Sequence, residues 1–244
     1  MNGTNNISAR ESFLQARNMF YDALRDKFPA GPQGDQRCRE WVNSLVLTQG
    51  FVRFEVQLNA TNNIFQFGVT PNQANTNNVV FNTEVRLPLQ DSICITELFF
   101  YVMRPVDSAG TPSQTGTSQL LRTYGNTQDF TAAAAQSLDS VLYSHGRFNF
   151  KRNNQVLVPN RSMTDFWVKN QTQQTAALGA GSPGDQMIGI TDGGATCEPN
   201  LVLIGSSNNI PQIELPSNLP TVDSFTRIVM YGKGPYAQNS TVVN

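Results

Sequence analysis

Residues 78 to 105, NVVFNTEVRLPLQDSICITELFFYVMRP, obey two rules in succession. From Val79 to Leu89 one parity of position holds Val79, Phe81, Val85, Leu87 and Leu89, and the other holds Asn82, Glu84 and Arg86. That alternation predicts a strand with one wet face. After Asp91 and Ser92 the alternation stops, and Leu98 to Met103 run LFFYVM with no polar break. A strand from Ile93 to Arg104 therefore shows water neither face. It belongs in the middle of two packed sheets, or under another subunit.

The same period of two recurs along the chain. Val52, Phe54, Val56 and Leu58 alternate with Arg53, Glu55 and Gln57, which predicts a half-buried strand, and Phe65, Phe67 and Val69 repeat the pattern. RFNFK and QVLV flank RNN as a hairpin signal, and residues 201–204 and 213–215 flank SSNN as a second. Residues 225–231 read as a final strand. Strands that follow one another through turns, without a helix after each, predict an antiparallel sandwich rather than a parallel sheet. The reading gives roughly ten to twelve short strands.

Two segments have helical period. ARESFLQARNMFYDALRDKF, residues 9–28, places Phe13, Ala16, Phe20 and Leu24 on one face, with Ser8 as cap and FPAGPQG as terminator. The apolar stripe must be covered by its own domain, by a neighbouring subunit or by a lipid surface. TAAAAQSLDSVLYSHG predicts a shorter helix closed by Gly146. The chain thus divides into an N-terminal arm (1–44), a β-sandwich (45–235) and a flexible C-terminal tail (236–244). Residues 108–118 and 177–199 read as long polar loops.

Charge then excludes several functions. Charged residues are 14% of the 244, against the roughly 25% usual for soluble domains, while Asn and Gln make up about 18%. Amides hold water without long-range repulsion, which suits surfaces that lie against copies of themselves. A net charge of −1, with acids interleaved among the early arginines, provides no basic arm for nucleic acid. No run approaches the ~20 apolar residues of a membrane span, and MNGTNNISARES lacks a signal-peptide core, so synthesis in a cytoplasm is expected. Cys38, Cys94 and Cys197 are odd in number and far apart, which predicts no disulfide framework and no zinc knuckle. Cys94, inside the apolar strand, reads as a small buried hydrophobe.

Reaction chemistry finds little to use. His145 is the only histidine, and no nucleophile motif accompanies it. Asp129, Asp139, Asp165 and Asp192 sit at turns or helix starts, where capping explains them. Glu97 is the odd acid, set inside the apolar strand, and calls for a buried arginine or a subunit contact. GITDGGATC lacks the lysine of a phosphate loop. Phe148, Phe150, Trp167 and Tyr231 fall on strand parity and read as core. The expectation is a protein that is not an enzyme and uses no cofactor or metal.

An N-terminal arm helix (SFLQARNMFYDALRDKF), successive strands (FVRFEVQL, NVVFNTEVRLPL, ITELFFYVM, FTRIVMYG) and long polar insertions resemble, in architecture, viral coat proteins of the jelly-roll class. The resemblance implies one elaborated sandwich, with a compact double jelly roll as the alternative. It implies a virion protein of the bacteriophage kind, assembled in the host cytoplasm with copies of itself and other virion proteins. Phe13, Phe20 and Leu24 would be its subunit-contact residues. The missing basic arm departs from many small coats and points toward a shell lined by something else, or toward a minor or spike component. The competing expectation is a receptor- or carbohydrate-binding sandwich whose loops hold a sugar.

Overall fold

The computed structural model describes residues 9–107, 109–113, 121–125, 129–153, 155–168 and 195–240. Two helices open the chain, α1 (Ala9–Leu24) and α2 (Pro32–Ser44). Eight strands follow: β1 (Leu47–Gln57), β2 (Ile64–Gln66), β3 (Ser92–Met103), β4 (Arg147–Arg152), β5 (Gln155–Ser162), β6 (Ala195–Ile204), β7 (Asn209–Glu214) and β8 (Arg227–Ala237). A third helix, α3 (Ala132–Ser137), precedes β4 and runs on as a wider turn over Leu138–Tyr143. Thr131 caps α3 by accepting the Ala134 N–H, and Gly146 closes the helical segment on the Leu142 carbonyl.

The strands form two four-stranded sheets, ordered β1-β8-β3-β6 and β2-β7-β4-β5, and every pairing is antiparallel. Within that order the pairs nest: β4 with β5, β3 with β6, β2 with β7, and β1 with β8. The chain therefore behaves as one long hairpin, folded back at β4–β5 and rolled so that successive turns of the roll alternate between sheets. Asn153, at φ 53, opens the turn between β4 and β5, inside the expected RNN signal. The protein is mainly β, two antiparallel sheets with short helices, as the period-two pattern predicts.

The core lies between the sheets. Phe100 of β3 meets Phe148 of β4 at 5.0 Å and Phe166 at 4.7 Å between ring centroids, and all three rings are buried. Each ring contributes about 1.5–3 kcal/mol by leaving water, with a further increment for its tilted or edge-on contacts.

β3 is covered on both faces, as its apolar run demands. Ile93 and Ile95 face the core; then a bulge between Ile95 and Glu97 reverses the parity, and Leu98, Phe100 and Val102 face it instead. On the outer face Cys94 lies under the helices, while Phe99, Tyr101 and Met103 pack with Val229 and Leu121. The bulge also explains Glu97. It sits where the register slips, exposed and opposite Lys233, rather than in an apolar layer.

Of the three covers left open for the stripe of α1 its own domain is the one observed, and four other expectations change. The stripe of α1 is covered by its own chain: Ala16, Phe20 and Leu24 are fully buried with Cys38, Val42, Cys94, Val202 and Ile204. Phe20 and Leu24 thus hold a helical roof onto the outer face of the first sheet and have no area left for a neighbour; Phe13 is half-buried. The arm also contains a second helix. Pro32 opens α2 at its first turn, after Gly31 at φ 103, so FPAGPQG is a joint between helices and not the end of helical structure.

Val79–Leu89 is not a strand. Only Val85 bridges, to Arg53, while Leu87 bonds to Val69 and Glu84 turns back on Phe81. Asn78 at φ 55 and Pro88, which lacks an N–H, break the ladder that alternation alone suggests. Residues 201–215 are not a hairpin either, because β6 and β7 lie in different sheets and residues 205–208 carry the chain across. Finally, β8 runs into the expected tail: Ser240 is buried, its hydroxyl 2.7 Å from that of Ser92, and Trp41 donates its indole N–H to the Ser240 carbonyl. The expected loop at 177–199 falls mostly outside the described residues; its end, 195–199, is strand.

Candidate functional site

Three of the acids singled out above have structural partners. Asp129 accepts from Arg122 at 2.8 Å, Asp139 from the Gly125 N–H at 2.5 Å, and Asp165 from Arg161 at 3.1 Å. Asp192 lies outside the described residues. His145 is exposed, in the turn after the helical segment, with Nδ1 2.5 Å from the Ser140 carbonyl, which ties that turn back to the helix end. Phe148, Phe150 and Phe166 are core, whereas Trp167 is 38% exposed and Tyr231 half-buried.

Glu55, which strand parity assigns to the wet face, is fully buried. Its side chain is 0% exposed and that of its partner Arg227 is 1% exposed, with Oε2 and Nη1 3.0 Å apart. Oε1 accepts from Arg53 at 2.8 Å and from the Thr83 hydroxyl. The Arg227 guanidinium lies 3.7 Å over the Phe81 ring. Beside it, Glu84 accepts the backbone N–H of Glu55 at 3.1 Å and of Phe81 at 3.0 Å, and pairs with Arg86 at 3.1 Å. Arg86 in turn donates to the carbonyls of Thr70 and Gln73.

Residues 70–87 therefore lie on β1 through charge and hydrogen bonds in place of a strand ladder. Asn75 donates to the Glu55 carbonyl at 3.1 Å and Asn77 donates to that of Gln57. This is one use of the amide-rich composition: side-chain amides satisfy edge backbone that would otherwise seek a strand. Burial raises the Glu84 carboxyl above its ordinary range, against the lowering effect of its hydrogen bonds and of Arg86. Burial likewise lowers Arg227, opposed by Glu55. Each carboxylate is neutralised by arginine, so the pair offers no proton donor and base facing each other across a cleft.

The described residues line two recesses of note. A cleft of about 640 Å³ between β5 and β6 is lined by Phe148, Leu157, Val158, Arg161, Asp165 and Cys197, among others. Burial pushes the Cys197 thiol up to about 11, outweighing Arg161 beside it, so the sulfur stays protonated at neutral pH and is a poor nucleophile. Arg161 is held by Asp165, by the Thr196 carbonyl and over the Phe166 ring. A smaller recess of about 340 Å³ lies between the end of α2 and the start of β1, against Trp41, Val46 and Asn239. Among the described residues no group of three or more His, Cys, Asp or Glu side chains could hold a metal, and no helix is long and apolar enough to cross a membrane.

Fold and surface define the class as an antiparallel β-sandwich roofed by two helices, with its buried charges committed to structure. No protein-family model, curated protein or solved structure matches the chain.

Proposed function

We propose that the sandwich is a jelly roll and that the chain is a structural subunit of a virus particle, of the bacteriophage kind, which self-assembles into a closed shell. The observation that carries this reading is the strand order. Eight antiparallel strands pair in nested fashion, β1 with β8 through β4 with β5, across two four-stranded sheets. That is the eight-stranded, rolled-hairpin arrangement found in viral capsid domains and in lectins. Low charge and abundant amides support the shell over a solitary enzyme, because like copies can approach with little repulsion. A subunit contact of standard size buries ~1,600 Å², and closed symmetry lets a few self-complementary patches complete the particle. The chain would serve as scaffold, with other virion proteins and more copies of itself as partners.

The second reading is a carbohydrate-binding module of the same fold, favoured by the cleft between β5 and β6, where Arg161 and Asp165 meet apolar walls. The two readings separate in one preparation. Light scattering and electron microscopy of the purified protein show closed particles or defined rings for the shell. A monomer at every concentration that binds glycans supports the module and overturns the shell.

A further inference from the structure

β1 is an outer strand of its sheet, and its free edge is treated differently at its two ends. At the C-terminal end the outward groups of Arg53 and Glu55 and the carbonyl of Gln57 meet partners. Arg53 exchanges both backbone hydrogen bonds with Val85, Glu55 gives its N–H to the Glu84 carboxylate and takes Asn75 at its carbonyl, and Gln57 takes Asn77. β1 pairs with β8 without a register shift. The backbone groups of Phe51, Gln49 and Leu47 therefore point to the same side as those of Arg53. Among the described residues, none of these three has a partner on that side.

The open stretch also lacks the usual safeguards. Edge strands are normally blunted by charge, proline, a bulge or shortness. β5, an edge of the other sheet, carries Pro159, and β2, its opposite edge, has three residues. Leu47 to Phe51, LTQGF, carries no charge, no proline and no bulge. Gln49 is exposed and Phe51 is 45% exposed.

We propose that this edge is the contact between two copies of the chain, joined by antiparallel pairing of β1 with β1 about a two-fold axis at Gln49. The sequence is self-complementary in that register. Leu47 falls opposite Phe51 of the second copy, Gln49 opposite Gln49, and Phe51 opposite Leu47. All three positions have outward-pointing backbone groups, so each pair is a hydrogen-bonded pair of the ladder. Side chains at 47, 49 and 51 share the outer face of the sheet, so each apolar Phe51 gains Leu47 as its cross-strand neighbour. The Arg53–Val85 bridge ends the pairing on one side and the turn out of α2 ends it on the other. Two four-stranded sheets thereby become one sheet continuous through both copies. The proposal concerns the pair and does not depend on the shell.

The test places like charges on the axis. Gln49→Lys and Gln49→Glu each set two equal charges opposite each other, whereas a mixture sets Lys against Glu. Light scattering across a concentration series is measured for the native protein, each variant and the equimolar mixture, with thermal unfolding as the check on folding. The native protein is expected to associate, each variant to need at least about tenfold more protein for the same association, and the mixture to return to the native value, all with unchanged unfolding temperatures. Variants that associate like the native protein, a mixture that does not recover, or a native chain that stays monomeric would each overturn the pairing. A dimer that grows no further but responds to charge in this way upholds the pairing and removes the shell; unchanged shells from both variants do the reverse.

Discussion

Arg227 and Glu55 meet at 3.0 Å with neither side chain open to water, on neighbouring strands and 172 residues apart in sequence. They join the last strand of the roll to the first, under a loop that a second charged pair, Glu84 with Arg86, holds in place.

Glu55→Ala leaves the Arg227 guanidinium buried without its carboxylate and is expected to cost about 3–5 kcal/mol. The double change Glu55→Leu with Arg227→Met removes both charges and should cost distinctly less than the single one. Urea unfolding of the three proteins checks the order. A double variant as unstable as the single would show that packing, and not the uncompensated charge, sets the loss.

Glu84 gives a pH dependence of defined sign. Its carboxyl is raised in the folded state, so the native protein binds more protons than the unfolded chain between the ordinary value of 4.5 and the raised one. Its contribution to stability is full below 4.5 and is lost as pH rises through the folded value. The difference in stability between the native protein and Glu84→Gln, followed by denaturation from pH 4 upward, should therefore shift against the native protein as pH rises. A flat difference would contradict the burial of that carboxyl.

Phe20→Ala and Leu24→Ala test the roof. Each removes a fully buried side chain above Cys94, Val202 and Ile204 and should cost about 2–5 kcal/mol, independent of protein concentration, with increased binding of a hydrophobic dye. A loss that deepens on dilution would instead place these residues between subunits.

The three cysteines should be silent in the folded protein. All are buried, and burial pushes the Cys94 thiol up to about 12 and Cys197 to about 11. A thiol reagent at pH 8 should titrate none of them until denaturant is added. Rapid reaction of Cys197 in native buffer would show the β5–β6 cleft to be a reactive site.

Local period carried the sequence reading as far as local period can. The apolar run LFFYVM demands cover on both faces and has it, from the second sheet on one side and from Leu121 on the other. Alternation, however, reports faces and not what covers them. Glu55 counts as wet by parity and is buried because Thr83 and Glu84 fold over it from a distant part of the chain. Val79–Leu89 alternates like a strand yet has Val85 alone bridged to β1, because Asn75 and Asn77 occupy the edge it would need. The nested pairing of β1 with β8 is a long-range fact that no short window contains. α2 was hidden for a local reason: a Pro-Gly cluster that ends α1 also supplies the opening proline of the next helix.

The proposed shell requires that copies of the chain build a particle. Light scattering of the purified protein from low to high concentration, with electron micrographs of the same samples, tests it most directly. Closed particles or rings of uniform size are expected; a single chain in solution at every concentration would overturn the shell.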